Sequence, residues 1–160
     1  MHVEIATESE IPQLSRLLTL LFDQEFDFAS DTAKQSNGLQ MIIQNPATGT
    51  VFALWNDESV VGMVSLLYTI STAWGGKVAL LEDMIVLPDF RGNGAGTMLL
   101  QTAIRFAESV GCLRITLLAD RDNYLAQHFY RQHGFHESAM MTMRQPLTSH
   151  WRPDAETAGN

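Results

Sequence analysis

The chain has 160 residues, 46% of them apolar and 18% charged, and its 18 Asp and Glu against 10 Lys and Arg leave a net charge of −8. That length fits one domain with a sizeable core, and the acidic balance opposes nonspecific binding to nucleic-acid backbones or anionic membrane surfaces. No apolar run reaches the roughly 18 residues of a membrane span, no basic or apolar leader opens the sequence, and a single cysteine, Cys112, excludes an internal disulfide framework or a thiolate metal cluster. A soluble cytoplasmic domain is expected. Its overall field suits a cationic substrate, while any anionic ligand needs a local site of its own.

Residues 2–6 alternate and predict a short strand. Thr7 and Glu10 have capping-box spacing, and Ile11, Leu14, Leu17, Leu18, Leu21 and Phe22 recur at helical intervals. An acidic stretch, DQEFDFASD, precedes a weaker helix over about 32–45 that stops near Asn45-Pro46. Residues 50–56 and 60–70 predict two strands joined by the turn Asp57-Glu58-Ser59. A Trp-Gly-Gly turn leads into VALLEDMIVL at 78–87, the composition of a buried strand.

The segment RGNGAG follows, and then an apolar stripe of Leu99, Leu100, Ala103, Ile104, Ala107 and Val110 on a helix ending at Gly111. LRITLLA at 113–119 predicts another buried strand. Asp122 or Asn123 caps a helix whose inner face is Ala126, Phe129, Tyr130 and His133. Gly134 stands at the C′ position with Phe135 as its hydrophobic contact, and 137–144 predicts a last strand. Residues 146–160 form a polar tail. The order β-α-α-β-β-β-α-β-α-β over 1–145 predicts one α/β domain, a mixed central sheet flanked by helices.

Gly92, Gly94 and Gly96 occupy alternate positions between a strand and a helix. Glycine lets backbone N–H groups converge and a ligand come close, and the helix that follows offers unpaired N–H groups and a positive dipole end to an anion. Between Arg91 and Ala107 there is no Asp or Glu, although helices favour acids at this end; Arg91 adds a cation. The Rossmann spacing fails, and no Gly-Lys-Ser/Thr closes a P-loop. What fits is Arg/Gln-x-x-Gly-x-Gly/Ala, as Arg91-Gly92-Asn93-Gly94-Ala95-Gly96.

VLPDFRGNGAGTMLL resembles the acetyl-CoA-binding motif of the GNAT acyltransferase superfamily, and NYLAQHFYRQHGF resembles that family's second core motif. The two motifs lie in family order within 82–135, and the order of elements resembles the family fold over 2–144. The resemblance implies acetyl-CoA as co-substrate, with the backbone of Arg91, Gly92, Asn93, Gly94, Ala95, Gly96 and Thr97 holding its pyrophosphate. It implies that the strand at Ile85, Val86 and Leu87 binds the pantetheine arm and the thioester carbonyl where two strands splay apart, in keeping with Pro88 ending ladder donation. Asn123 matches an asparagine that contacts the cofactor in many members, besides its possible use as an N-cap.

The implied reaction moves an acetyl group from the thioester to a primary amine by direct attack in a ternary complex. An amine of pKa about 10.4 is uncharged in only about 1 molecule in 2,500 at pH 7, so a carboxylate, acting directly or through water, has a proton to remove. Glu82 and Asp83 stand in the buried strand. Strand neighbours face opposite sides, so only one reaches a given cleft. Glu82 is expected to share a face with Met84 and Val86 and matches the place of a glutamate base in the family; Asp83 remains the alternative, and pairing of one acid with Arg114 is the structural alternative to both. Tyr130 matches the family's general-acid tyrosine.

His128, His133 and His136 are poorly aligned for a metal and have no acid cluster to complete a set, and Cys112 has no paired His for covalent catalysis. The amine acceptor, a small molecule or a lysine or N-terminal amine, is not fixed; Asp23, Glu25, Asp27 and Asp31 are expected near its entrance, and Phe22, Phe26 and Phe28 are read as core or rim. A homodimer through an apolar edge at 137–144 is expected. A catalytically silent CoA-binding sensor is the alternative function, and the presence of both Tyr130 and Glu82 argues against it.

Overall fold

The structure, a computed structural model, describes residues 1–23 and 31–147. The chain divides into two compact units, Met1–Leu118 and Ala119–Asn160. Five strands make one sheet in the first unit: β1 (His2–Ile5), β2 (Gly49–Asn56), β3 (Ser59–Ser71), β4 (Gly76–Val86) and β5 (Ile115–Leu117). They lie in chain order; β1 to β4 are antiparallel, and β4 and β5 are parallel. The sheet is therefore mixed.

The helices of this unit are α1 (Ile11–Phe22), α2 (Thr32–Ile43) and α3 (Ala95–Ser109). Thr7 and Glu10 do form a capping box, with the Thr7 amide donating to Glu10 Oε2 at 2.6 Å. It closes a single 3-10 turn over Glu8–Glu10 that runs directly into α1. Asp31 caps α2 by accepting from the Ala33 and Lys34 amides at 3.1 and 3.2 Å, and the helix ends two residues before Asn45-Pro46, as the restricted residue ahead of a proline requires.

Strands β2 and β3 are apolar on both faces because both faces are covered. Leu14, Leu17 and Leu18 of α1 and Leu39 of α2 pack with Val51, Ala53, Met63 and Ile85 on one side. Phe52 points to the opposite side, where its ring meets Phe106 of α3 edge-on at 5.2 Å. The α3 stripe is as expected: Leu99, Leu100, Ala103 and Ala107 are buried.

In the second unit, described to residue 147, helix α4 (Tyr124–Gln132) begins at Asn123, whose Oδ1 accepts from the Ala126 amide at 3.1 Å. This settles the cap on Asn123 rather than Asp122. The helix ends in a Schellman motif: Gly134 has φ +87°, its amide bonds to Arg131 O at 3.1 Å, and the Phe135 amide bonds to Tyr130 O at 3.1 Å. The Phe135 ring packs edge-on against Tyr130 at 5.7 Å, the hydrophobic contact of that motif.

The expected strand at 137–144 is not formed; these residues are irregular. The segment does not alternate, since Met140 and Met141 are neighbours, and both are exposed, as are Met143 and Leu147. An apolar run without a period-2 pattern has no face to bury against a partner strand. The edge on which a dimer was expected is thus absent. Strand β5 is shorter than 113–119, although Leu113 and Arg114 extend its pairing to β4 through bonds with Lys77 O and the Ala79 amide at 2.8 and 2.9 Å.

Candidate active site

The end of β4 and the loop behind it belong to the first unit. β5 pairs with β4 only at Ala79, Leu80 and Leu81. From Glu82 onward that edge of β4 has no strand partner among the described residues, so the two strands part at the stretch where the family resemblance implies a pantetheine arm. The buried Ile85 and Val86 lie on this stretch, while the Leu87 amide is taken by Val61 O at 2.8 Å. A 3-10 turn over Pro88–Phe90 follows.

Arg91 uses its side chain to tie the loop to the strand, Nε donating to Val86 O at 2.7 Å. Gly92 and Gly94 have φ of +81° and +80°, the left-handed region that favours glycine. Gly94 is the N-cap of α3, and its carbonyl accepts the first helical bond, from the Met98 amide at 2.9 Å. The amides of Ala95 and Gly96 therefore lie ahead of the helical ladder, and the first turn carries no acid. A Cβ built on Gly92 or Gly94 meets nothing within 4 Å. The result is an open, cationic, acid-free helix entrance fit for a pyrophosphate.

The acids of β4 depart from the expected alternation. Met63 pairs with Ile85 and Ser65 with Glu82, so three steps along β4 answer two along β3. This is a β-bulge, one residue more on β4. Cross-strand partners point to the same side, which puts Glu82 on the face of Ser65, Met63 and Ile85, not with Met84 and Val86. Asp83 takes up the extra length with φ +53°, a conformation that Asp tolerates better than most residues. Its Oδ2 accepts from Ser65 Oγ at 3.2 Å.

The bulge breaks the alternation on which the expectation of one acid per cleft rested, and it brings the Asp83 carboxylate and the Glu82 carbonyl oxygen to the same Ser65 hydroxyl. Burial, with the neighbouring Glu82 charge adding to it and the Ser65 hydrogen bond opposing it, pushes Asp83 up to about 6. Neither acid pairs with Arg114, whose guanidinium lies over the Trp74 ring at 5.8 Å.

Within α4, the Tyr130 ring is held edge-on by Phe129 and Phe135. Burial pushes its hydroxyl up to about 12, so it stays protonated at any ordinary pH. His133 is the C-cap residue and its Nδ1 meets Phe129 O at 2.8 Å. Burial raises the Cys112 thiol, with Lys77 acting against it, which makes it a poorer nucleophile. Glu25, Asp27, Phe26 and Phe28 lie outside the described residues, while Asp31 is committed to its cap.

The profile of the Acetyltransferase (GNAT) family matches residues 12–135. The chain belongs to the GNAT acetyltransferase family. It is an acyltransferase of that family, and its relatives include an N-acetyltransferase of Bacillus subtilis strain 168, YhfO, 31% identical over 73% of this chain and 80% of its own length. A second GNAT relative is an aminoglycoside N(6')-acetyltransferase of Acinetobacter genomosp. 13, 28% identical over 62% of this chain and 70% of its own. Among solved structures, the integron cassette protein HFX_CASS3 from a salt-marsh metagenome superposes with a TM-score of 0.81 at 25% identity, over 92% of this chain and 91% of that one.

Ser65 was not singled out by the sequence. Its signal was a lone serine inside the apolar run VVGMVSLLY, where a buried polar side chain needs a partner.

Proposed function

We propose that the protein transfers an acetyl group from acetyl-CoA to a primary amine. The turn from β4 into α3 carries this reading: two left-handed glycines deliver the chain into a helix entrance where the Ala95 and Gly96 amides lie ahead of the helical ladder and the first turn has no acid, beside a strand edge with no strand partner among the described residues. In that role the backbone of residues 91–97 holds the pyrophosphate, and Ile85, Val86 and Leu87 receive the pantetheine arm. Asn123 combines the helix cap with a cofactor contact. The Glu82–Asp83 pair takes the proton of the amine, and the Tyr130 hydroxyl protonates the leaving thiolate. A related protein from Clostridium acetobutylicum with the same fold (TM-score 0.76) is described with acetyl-CoA.

The acceptor class follows from relatives and charge. These relatives include an aminoglycoside N(6')-acetyltransferase and a mouse thialysine N-epsilon-acetyltransferase, the latter 33% identical over 46% of this chain and 43% of its own length. Both acceptors are cationic amines, which suits a chain of net charge −8. A cytoplasmic location belongs to the same reading.

The test is thermal and chemical together. Acetyl-CoA or free CoA is expected to raise the melting temperature by binding the native state alone, and thiol release is expected with one or more of a polyamine, an aminoglycoside and lysine. Saturating cofactor that leaves the melting temperature unchanged would remove the assignment. Binding without thiol release from any amine would favour the silent sensor instead. Self-association, for its part, is proposed through the exposed methionines at 140, 141 and 143 in place of a strand edge; a monomer mass at micromolar concentration would overturn it.

A further inference from the structure

The β-bulge in β4 has a clasp. Ser65 of β3 is 1% exposed, and its hydroxyl faces two acceptors on the bulge, Glu82 O at 3.1 Å and Asp83 Oδ2 at 3.2 Å. One hydroxyl proton shared between them fixes the bulged backbone and one carboxylate oxygen together. The second oxygen, Oδ1, has no such tie to Ser65. We propose that Ser65 is a positioning residue that makes Asp83, rather than Glu82, the member of the pair that takes the proton of the acceptor amine; this rests on the acetyl-transfer reading above.

The surroundings of Asp83 support the assignment. Glu82, on the same strand, is the charged group among the described residues that bears on it. From β3 it meets the Ser65 hydroxyl. The helices packed on the sheet face that carries Ser65 bring apolar groups, Leu14, Leu17 and Leu18 from α1 and Leu39 from α2. An acid in such a place is poised near neutrality, where a general base works best. Glu82 keeps a distinct task, as the neighbouring anion that favours an incoming ammonium.

In the step itself, a proton passes from the ammonium to Asp83 and leaves the nitrogen lone pair free. The nitrogen then bonds to the acetyl carbon, the carbon–sulfur bond breaks, and the sulfur takes its electrons and the Tyr130 proton, while the nitrogen loses a second proton, which restores the Tyr130 hydroxyl through solvent. Asp83 then returns its proton to solvent. No oxidant or further reactant is required.

The experiment follows thiol release from acetyl-CoA with the most active amine of the panel, as kcat/KM against pH, for the wild type, Ser65→Ala, Ser65→Thr, Glu82→Gln and Asp83→Asn. Ser65→Ala removes a hydrogen bond to the ionised acid, so the acidic limb is expected to move up by about 0.5 to 1 pH unit; Ser65→Thr, which keeps a hydroxyl, is expected to move it back. Glu82→Gln removes a like charge and is expected to move the limb down. Asp83→Asn is expected to abolish the limb with most of the activity. Carbon-13 titration of the aspartate carboxyls, without substrate, is expected to show the same shifts at Asp83.

A limb unmoved in folded Ser65→Ala, or full activity in Asp83→Asn, overturns the proposal while a thermal shift with CoA leaves the acetyl-transfer reading intact. No thiol release with any amine and no thermal shift overturns both.

Discussion

Tyr130→Phe is expected to lower thiol release by about 10²-fold, on the usual scale of a general acid, with no recovery at high pH. The hydroxyl sits at about 12 through burial, so it is a proton donor over the whole working range. Phe keeps the ring that Phe129 and Phe135 hold edge-on and leaves the Tyr130 carbonyl, which closes the Schellman motif, untouched. The loss is therefore chemical and not structural. Raising the pH supplies more free amine and rescues a missing base, but it makes the leaving thiolate no easier to protonate. Rates from pH 6 to 10, with the thermal shift by CoA as a control for binding, measure this. Wild-type activity across that range would remove Tyr130 from the reaction.

The second large effect is on binding. At 100 times Kd, a ligand that binds only the native state stabilises it by about 2.7 kcal/mol, and Gly94→Asp is expected to erase that stabilisation. The position has φ +80° and open space where a Cβ would stand. Asp is among the residues that accept this conformation, so the variant folds. Its carboxylate lies at the N-cap of α3, where it satisfies the helix amides itself and repels a pyrophosphate from them. The apo protein is expected to melt somewhat below the wild type, because φ +80° strains a side chain, and acetyl-CoA to leave that temperature unchanged. A full shift by acetyl-CoA in this variant would show that the phosphates bind elsewhere.

What the sequence made legible follows from what its patterns encode. Helical periodicity delivered α1 and α3, and short-range chemistry delivered several helix ends: the Thr7–Glu10 box, the Asn123 cap and the Gly134–Phe135 terminus all depend on residues a few places apart, whereas the Asp31 cap of α2 went unread. The glycine loop was readable for the same reason, since left-handed turns ahead of an acid-free helix are written locally. The bulge was not. Counting faces along β4 assumes that no residue is inserted, and the insertion is fixed by the register of β3, which pairs Ser65 with Glu82 and Met63 with Ile85. One added residue turned the face of Glu82 and brought Asp83 to Ser65. Residues 137–144 erred in the other direction: a short apolar run without alternation was read as a strand, and these residues are irregular.

The bulged aspartate also sets stability against pH. Its ordinary value is 3.8 and its value in the fold about 6, so the native state holds this proton more tightly than the unfolded chain. Below about pH 4 the difference has no effect; as the pH climbs from there to about 6, ionising Asp83 withdraws stability, and above that the whole deficit persists. Asn keeps the left-handed backbone and has no charge to bury, so at neutral pH a chain selected for heat resistance alone would lose this aspartate early. On the acetyl-transfer reading proposed above, the bulge is a place where folding yields to chemistry.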